Sequence, residues 1–526
     1  MVQASELSIN EGANATAMAN AMFGDGVQVI DADYFGDNRS SGIFSGGDNT
    51  SPGVVPSDTG VILSTGRVRD FTNSSGQSNQ SNSRSGNTQG ENNNADFNAA
   101  AGRSTYDASY LDIDFIPDGD TMTMQFVFAS DEYPEYINSV YNDVFGVWIN
   151  GTYVNATPGN GQTSVTNINS VNTQNLYVDN TQDQYNTEMD GFTITMTLTI
   201  PVNDGDLNTI RIGIADASDS SYDSSVLIAG DSIQTRVIAD DDSMDIFADQ
   251  TKVLDVLAND TMPNGATLTI THINGNAVSI DPNTGLPNSV TLSTGETVTL
   301  NPDGTLSITA DSDLGDTLFT YTMSDGTNSD TGYVTLSTIP CFVAGTLILT
   351  ENGEIPVETL NIDDLVVTHD DGLQPVRWIG TRTIPAEGGF APIHIAEDAL
   401  GKHRELMVSP QHRVLIRDSL AQLLFGEEEV LVAAKDLVND RSIRRLEGGE
   451  VTYVHVMFDR HQVVFSEGLA TESFLPGPQT RDCFDAAVMA EICAIFPELD
   501  PVTGQGYGPA ARRTLRKYEA QVLLSA

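Results

Sequence analysis

Short apolar runs separated by polar, glycine-rich stretches recur through the first two-thirds of the chain. In residues 192–200 and 210–214, apolar and polar side chains alternate. Because successive side chains of a β-strand point to opposite faces, this period of two predicts half-buried strands. Further apolar or alternating runs occupy residues 60–64, 122–128 and 145–149. Many strands joined by polar turns predict β-sandwich or jelly-roll domains, so the expected fold class is mainly β.

One long segment, Asn73 to Asn94, departs from this pattern. It consists mostly of Asn, Ser, Gly and Gln, and it has no apolar face to bury. We therefore predict a long mobile loop here.

The segments Phe126–Tyr136 and Asn142–Trp148 combine aromatic and acidic residues. They resemble the choice-of-anchor L domain of bacterial surface proteins, and we assign residues 1–236 to such a β domain. The resemblance implies a context of surface attachment and no particular activity. Calcium takes about six to eight oxygen ligands. Three acidic residues are candidate ligands for a structural calcium, with a solvated loop as the alternative: Asp131, Glu132 and Asp143.

Residues 237–337 form a second β unit. Val298–Leu306 and Phe319–Gly326 are strand-like, and their Asp-Gly pairs mark turns. This region resembles the cadherin-like, immunoglobulin-type repeats of bacterial adhesins, which implies a β-sandwich that acts as a spacer. The acidic cluster Asp240–Asp242 precedes it, and calcium bound there would stiffen the joint.

Three motifs dominate the last third of the chain: Cys341–Thr350, Ser409–His412 and Phe458–Gly468. In this order and spacing they resemble the Hint family, the self-processing modules of inteins and of hedgehog C-terminal domains. We assign residues 338–478 to an all-β, horseshoe-shaped Hint domain. The resemblance implies that the Cys341 thiol attacks the carbonyl of Pro340 and converts the Pro340–Cys341 amide to a thioester.

The same resemblance assigns roles to the other motif residues. His412 would contact the scissile nitrogen and donate a proton to it, because a histidine titrates in the range that such exchange needs. Ser409 stands where the family usually has Thr, and its hydroxyl would orient the site or donate to the oxyanion. Asp459 and His461 match the closing motif and would deprotonate the sulfur or activate water. His455, on the preceding run, competes with them. No cofactor is required by this chemistry.

The remaining histidines and the histidine–cysteine spacings add no second site. We expect surface positions for His369, His394 and His403. No spacing among the His and Cys residues matches a zinc site.

Two departures from the intein pattern change the expected outcome. Inteins end in His-Asn followed by a nucleophile, whereas Glu467–Ser473 contains no Asn. Full splicing is therefore not expected, and water or an external amine or alcohol would resolve the thioester. The hindered carbonyl of Pro340 predicts a slow acyl shift, a need for a trigger, or lost activity.

The chain closes with a predicted helical tail, residues 479–526. A helix is expected over Arg481–Phe496, which Pro497 ends, and a basic amphipathic helix over Ala510–Leu524. We expect the second helix to pack on the Hint domain, with a docking or export role as the alternative. Cys483 and Cys493 either pair or stay free.

Charge limits the partners of this protein. The formal net charge is −49, so neither nucleic acid nor an anionic membrane is expected to bind. Residues 1–340 hold 8 Lys and Arg against 45 Asp and Glu, whereas residues 341–526 hold 16 against 28. The composition therefore changes where the Cys341 motif begins. Calcium binding and plain solubility both account for the acidic first part.

The cellular compartment is predicted from the N-terminal residues, the apolar stretches and the number of cysteines. The first residues have neither a basic nor an apolar region of the kind that signal peptides carry. No stretch approaches the roughly 18 apolar residues of a membrane span. With three cysteines a dense disulfide framework is excluded. We expect an extracellular or cell-surface protein that is exported without an N-terminal signal peptide.

Two hypotheses from different classes follow. In the first, the Hint domain performs single-turnover cleavage of its own chain at Pro340–Cys341 and releases residues 1–340 or passes them to a surface acceptor. In the second, the protein is an adhesin or matrix protein whose Hint domain is structural and inactive. A cysteine peptidase acting on other chains is a weaker third hypothesis, because the nucleophile is the first residue of its domain.

Overall fold

The structure is a computed structural model. It describes residues 2–526 except 82, 84, 87, 138, 155–162, 247–249, 264–265, 282–286, 311–316, 338–340, 387–390, 440, 476–494, 497–506, 509, 516–519, 521–522 and 524–526. The chain divides into two compact units. The first comprises Met1–Asp242, Val253–Ser307 and Thr317–Val334, and the second comprises Ser243–Lys252, Ile308–Asp316 and Thr335–Ala526.

Strands dominate both units, which confirms the predicted mainly β fold class. The strands up to the end of the first β domain are β1 Ser8–Glu11, β2 Val27–Phe35, β3 Ser41–Ser45, β4 Thr59–Ser64, β5 Thr105–Pro117, β6 Thr121–Ser130, β7 Val144–Ile149, β8 Thr152–Val154, β9 Tyr177–Asp179, β10 Gly191–Thr193, β11 Met196–Pro201, β12 Asn208–Ala217 and β13 Ser224–Ala229. The next strands are β14 Asp242–Asp245, β15 Thr251–Leu254, β16 Thr269–Ile273, β17 Asn276–Ala277, β18 Ser289–Thr291, β19 Thr297–Leu300, β20 Leu306–Thr309, β21 Thr317–Ser324 and β22 Ser329–Ser337.

The region after residue 340 adds fourteen strands to the described part of the chain. They are β23 Phe342–Val343, β24 Leu347–Thr350, β25 Gly353–Pro356, β26 Leu365–Thr368, β27 Gly372–Pro375, β28 Trp378–Pro385, β29 Ile393–Ile395, β30 Leu406–Val408, β31 Arg413–Arg417, β32 Glu429–Ala433, β33 Ile443–Arg445, β34 Glu450–Met457, β35 Val463–Ser466 and β36 Leu469–Glu472. The helices are α1 Ala15–Met22, α2 Gly47–Thr50, α3 Ala95–Ala101 and α4 Ser419–Phe425.

Two sheets build the first β domain. One follows the order β1-β3-β4-β13-β6-β10-β9, with β11 also paired to β6, and the other follows β2-β5-β12-β7-β8. Phe126 and Val226 of the first sheet share one buried core with Leu111 and Ile212 of the second. The two sheets therefore pack face to face as a sandwich, as the alternating runs predicted.

The described part of the segment Asn73 to Asn94 is a loop, as predicted, and buried polar side chains attach it to the domain. Asn79 is buried and donates from Nδ2 to Asp190 Oδ1 at 2.6 Å. Thr88 is buried as well and donates from its hydroxyl to the Thr65 carbonyl at 2.8 Å. The prediction of a mobile loop considered only apolar burial. Here polar side chains attach the described part of the segment by hydrogen bonds to buried acceptors.

The immunoglobulin-like region continues the first unit. Strands β17, β16 and β21 are neighbours in one sheet, and β18 pairs with β19 in another. Tyr333 donates from its hydroxyl to the Thr197 carbonyl at 3.0 Å, and Asn175 donates from Nδ2 to Thr294 Oγ1 at 2.8 Å. Tyr333 is also part of the core of the first β domain. The two domains of the first unit are thus joined by buried contacts.

Two further sheets build the second unit around the Cys341 motif. One runs β28-β34-β23-β30-β29-β33, and the other runs β25-β24-β26-β35-β36-β31-β32, with β27 paired to β26. Phe342 and Val454 of the six-stranded sheet share a core with Ile348 and Val464 of the eight-stranded sheet. This all-β arrangement confirms the fold expected for residues 338–478.

The predicted tail is described only in part. The helix expected over Arg481–Phe496 lies outside the described residues except for its last two. Residues 510–515 do not begin a helix, because Thr514 pairs with Leu431 of β32 as a short parallel bridge. Leu515 and Leu523 nevertheless join the core of the second unit, as the packing prediction required. Within the described residues, no helix has the length and apolar character of a membrane span.

Candidate active site around Cys341

The strand pairing of β23 determines the surroundings of Cys341. This two-residue strand pairs with both β30 and β34, so its preceding residue lies between the ends of two longer strands. The side chain of Cys341 is 4% exposed. Phe342 pairs with Val454, and one step back along this antiparallel register lies His455. The fold therefore brings Cys341 together with residues more than sixty positions away in sequence.

Ser409 holds the backbone of Cys341 from one side. The Cys341 N–H donates to Ser409 Oγ at 2.8 Å, and the Ser409 N–H donates to the Cys341 carbonyl at 3.0 Å. The nitrogen of Cys341 is the nitrogen of the bond predicted to break. The hydroxyl of Ser409 thus contacts the predicted leaving group, a position that the sequence assigned to His412.

His455 is the histidine in contact with the Cys341 sulfur. Its Nε2 lies 3.5 Å from Sγ, and the residue is 4% exposed. The ring packs edge-on against Phe474, with centroids 5.4 Å apart, and beside Trp378. A ring nitrogen at this distance can accept the thiol proton. The sequence offered His455 only as a competitor, because Asp459 and His461 matched the closing motif by position.

His412 is buried and lies beside Phe342, the residue after Cys341. Its N–H donates to the Ser409 carbonyl at 3.1 Å, which closes the turn that carries both residues. Its ring lies against that of Phe342, with centroids 4.4 Å apart. Burial lowers the pKa of His412 to about 4, so the ring is neutral at pH 7. Neither ring nitrogen has a hydrogen-bond partner among the described residues, which exclude Pro340.

Asp459 and His461 lie two residues apart in the sequence but in different environments. The carboxylate of Asp459 receives two hydrogen bonds from Arg377, at 2.7 and 3.0 Å, and its side chain is 56% exposed. The side chain of His461 is fully buried, and its Nε2 lies 3.1 Å from the Ser473 carbonyl. Asp459 and His461 therefore do not act as a pair, although the motif placed them together: Asp459 is exposed and bound to Arg377, whereas His461 is buried.

Glu472 is a buried charge that the sequence reading did not single out. Its Oε1 accepts the Arg413 N–H at 2.8 Å, and its Oε2 lies 3.2 Å from Arg413 Nη1 and 3.4 Å from His461 Nε2. Burial pushes the pKa of Glu472 up, but Arg413 and the neighbouring histidines outweigh it and bring the pKa down to about 2. The sequence carries no local signal for the role of Glu472. Val414 of β31 pairs with Thr471 of β36, and this register brings the next residue, Glu472, to Arg413.

The three histidines expected at the surface differ from one another. His369 lies beside Asp370, with Nδ1 3.1 Å from Oδ1, and His394 lies 3.0 Å from Glu405; both keep some exposure. His403 is buried, so its surface prediction was wrong. Its Nε2 accepts the Leu400 N–H at 3.1 Å, and its Nδ1 lies 2.6 Å from the Arg404 carbonyl. The ring thereby satisfies backbone groups of its own turn.

The three candidate calcium ligands are also buried. Asp131, Glu132 and Asp143 are each at most 2% exposed, which overturns the alternative of a solvated loop. Asp143 accepts from the Ser224 hydroxyl at 2.6 Å and from the Ala217 N–H at 3.0 Å. In the described ranges, no three His, Cys, Asp or Glu side chains form a group that would hold a metal ion. Calcium binding therefore stays a prediction, there and at Asp240–Asp242.

These features define a mainly β, multidomain protein with a buried cysteine at the start of its last all-β domain. Comparison with family models identifies a Choice-of-anchor L domain at residues 7–234, a bacterial Ig domain at 234–337 and a Hint domain at 340–478. The chain therefore carries these three domains in this order, as the three resemblances predicted. The Hint match indicates an autoprocessing type of domain, and the other two indicate a cell-surface protein.

Solved structures similar to the chain include inteins. A splice-inactive variant of the AceL NrdHF class 3 split intein is 14% identical, with 26% of this chain and 97% of that chain covered and a TM-score of 0.18. A bacterial intein-like domain from Clostridium thermocellum is 15% identical, with 25% and 97% covered and a TM-score of 0.18. Extracellular domains 3–5 of Drosophila OTK are 6% identical, with 68% and 91% covered and a TM-score of 0.16. The comparison with curated proteins found no match.

Proposed function

We propose that this protein cuts its own chain at Pro340–Cys341 through a thioester. The observation that carries the proposal is the double contact at Cys341. Its N–H, which belongs to the scissile peptide, donates to Ser409 Oγ at 2.8 Å, and its sulfur lies 3.5 Å from His455 Nε2. A nucleophile with a base on one side and a polar group at the leaving nitrogen on the other has the parts that acyl transfer needs.

The first step is an N-to-S acyl shift. His455 takes the thiol proton, and the sulfur forms a bond to the carbonyl carbon of Pro340. The bond between that carbon and the Cys341 nitrogen then breaks. The nitrogen gains the proton that His455 took, relayed through the Ser409 hydroxyl or the His412 ring, and becomes a free amine, while His455 returns to its neutral form. Residues 1–340 are now held as a thioester on Cys341.

The second step needs a nucleophile from outside. Water, an amine or an alcohol adds to the thioester carbonyl and expels the Cys341 sulfur, which recovers its proton. Water releases residues 1–340 as an acid, whereas a surface amine or alcohol becomes acylated with them. Each chain reacts once, so the reaction is single-turnover processing of its own substrate.

Within this proposal the motif residues divide into two groups. Cys341, Ser409, His412 and His455 act on the reacting atoms. His461 acts indirectly, because its ring contacts Ser473 and Glu472 in a fully buried position. Asp459 is paired with Arg377, so we assign the base role to His455 in its place.

Intact mass of the full-length protein tests the proposal. Wild type and Cys341→Ala are incubated with and without hydroxylamine, which attacks thioesters. Fragments meeting at Pro340–Cys341 only in the wild type support the thioester route. The matched control replaces Cys483 and Cys493 with Ala together, which leaves Cys341 as the one thiol of the sequence and must preserve cleavage. A rate independent of protein concentration separates cutting in the same chain from a peptidase acting on others.

The opposite result supports the adhesive alternative. If wild-type protein stays uncut with hydroxylamine, with a thiol and with calcium, the Hint domain is a structural end-piece of a surface protein.

A further inference from the structure

The chain after the Hint match returns to the processing site. We define the C-terminal strap as residues 507–515, of which 509 lies outside the described residues. Tyr507 donates from its hydroxyl to the Phe458 carbonyl at 2.6 Å. The Leu515 N–H donates to the Leu431 carbonyl, and the Leu431 N–H donates to the Arg513 carbonyl, both at 2.8 Å. The strap thus extends the eight-stranded sheet at β32, which ends that sheet's strand order.

Arg512 fixes the middle of the strap. Its guanidinium donates to Glu429 Oε2 at 2.8 and 2.9 Å and to the Asp370 carboxylate at 2.7 and 3.1 Å. Its side chain is 24% exposed, so water screens these pairs only in part. Asp370 in the turn after β26 and Glu429 on β32 together hold one cation, which determines the position of the adjacent residue Ala511.

Ala511 makes the contact that connects the strap to the site. Its backbone N–H donates to His461 Nδ1 at 2.9 Å. A backbone N–H can only donate, so Nδ1 must carry a lone pair. The other ring nitrogen, Nε2, faces two acceptors, the Ser473 carbonyl at 3.1 Å and Glu472 Oε2 at 3.4 Å. The proton of the neutral ring must therefore sit on Nε2.

The tautomer of His461 matters because the Nε2 atom of its ring faces Glu472. Glu472 lies between His461 and Arg413, and Arg413 is the residue after His412. The Arg413 N–H also donates to Glu472 Oε1 at 2.8 Å, so Glu472 supports the turn that carries Ser409 and His412. The side chains of His461 and Glu472 are fully buried, whereas Arg413 is 24% exposed. Among the described residues, the charged or titratable groups that act on Glu472 together with His461 are Arg413 and His412.

We propose that the C-terminal strap is part of the processing site and that its Ala511 N–H fixes His461 as the Nε2–H tautomer. His461 is then a positioning residue that keeps Glu472 aligned beneath the Ser409–His412 turn. Without that N–H, Nδ1 loses its hydrogen-bond donor, and the ring is free to turn or to change tautomer. The effect on cleavage rests on the proposed function, whereas the tautomer does not.

The test removes one hydrogen atom from the strap. Ala511→Pro lacks the N–H, and Ala511→Gly, which keeps the N–H and removes only the methyl group, is the control for a change at this position. The tautomer of His461 is measured by ¹⁵N NMR of histidine-labelled full-length protein in a Cys341→Ala background, where no chain is cut. Ala511→Gly should retain the Nε2–H tautomer at pH 7, and Ala511→Pro should lose it. An unchanged His461 spectrum in Ala511→Pro overturns the proposal.

Two further measurements distinguish an effect of the strap on the His461 ring from an effect on the attachment of the strap itself. Arg512→Gln loosens the strap but keeps the Ala511 N–H, so it should lower thermal stability and leave the tautomer intact. In chains with Cys341, hydroxylamine-driven cleavage from pH 5.5 to 8.5 should slow about tenfold in Ala511→Pro, as expected for one lost buried hydrogen bond, and change its pH profile. A profile identical to that of Ala511→Gly refutes the link to cleavage. If wild type itself stays uncut, the proposed function fails, and the NMR result still decides the strap.

Discussion

Replacing His455 with glutamine tests which group takes the proton from Cys341. The Nε2 atom of His455 lies 3.5 Å from the sulfur, and both residues are 4% exposed. Glutamine keeps a polar group of similar length but is no base at neutral pH. Cleavage should therefore slow, and the size of the defect should depend on pH.

The expected magnitude follows from thiol chemistry. A free thiol has a pKa of about 8.5, so roughly 3% is ionised at pH 7. If His455 only generates the thiolate, its loss costs about 30-fold at pH 7, equivalent to about 2 kcal/mol. At pH 9.5 hydroxide supplies the thiolate without help, and the defect should fall below about twofold.

The assay is the rate of appearance of the Pro340 hydroxamate by intact mass, measured from pH 6.5 to 9.5. His394→Gln is the matched control, because His394 also lies in the Hint domain and pairs with a carboxylate, Glu405, at 3.0 Å. It should cleave at the wild-type rate. A His455→Gln defect that is absent, or that stays constant across this pH range, would refute the role of the ring as thiol base.

Three further perturbations test other parts of the structure. His412→Asn should slow cleavage by about 100-fold or more at every pH from 6.5 to 9.5, because the ring acts at the scissile nitrogen and not on the thiol; the same mass assay applies. Glu472→Gln should destabilise the Hint domain by about 1.5–3 kcal/mol in thermal melts, since it removes the fully buried carboxylate that accepts hydrogen bonds from the Arg413 N–H and guanidinium. Burial raises the pKa of Asp330 to about 7, so the native state holds a proton that the unfolded chain releases, and the stability of the first unit should fall by up to about 4 kcal/mol between pH 4 and pH 8. Midpoints of urea unfolding should show this loss of stability, and Asp330→Asn should reduce it. If calcium raises the urea midpoint at pH 8 and Asp143→Asn abolishes that increase, the result supports a calcium site.

Local patterns in the sequence were enough to predict the architecture. The alternation in residues 210–214 marks β12, and the run at 122–128 marks β6. Residues 192–200 were expected as one strand, but β10 and β11 divide them, because β10 also pairs with β9 while β11 pairs with β6 alone. The hydrogen bonds that attach the Asn-rich loop were not predicted, for a related reason. Hydrogen bonds to distant acceptors such as Asp190 leave no periodic trace in the sequence.

The site could be predicted only where motifs carried it. Cys341, Ser409 and His412 lie together as the motifs implied. The positions of His455 and Glu472 could not be predicted from motifs, because the pairing of distant strands brings these two residues to the site. Phe342 pairs with Val454, which brings His455 to Cys341, and Val414 pairs with Thr471, which brings Glu472 to Arg413. A register depends on long-range pairing, which no local spacing reveals.

The end of the Hint domain explains why cleavage without splicing is the expected chemistry. Release of a C-terminal segment in inteins needs an Asn side chain free to attack its own backbone. Here the corresponding stretch carries Glu472, whose carboxylate is held by Arg413 and faces His461. A carboxylate with a pKa near 2 is a poor intramolecular nucleophile toward a peptide carbonyl, and its two oxygens are already engaged. Ser473 is engaged as well, because its hydroxyl accepts the Gln462 N–H at 2.9 Å. Glu472 instead supports the turn of Ser409 and His412 through Arg413, so in the proposed mechanism the C-terminal strap would stay attached and the thioester would await an external nucleophile.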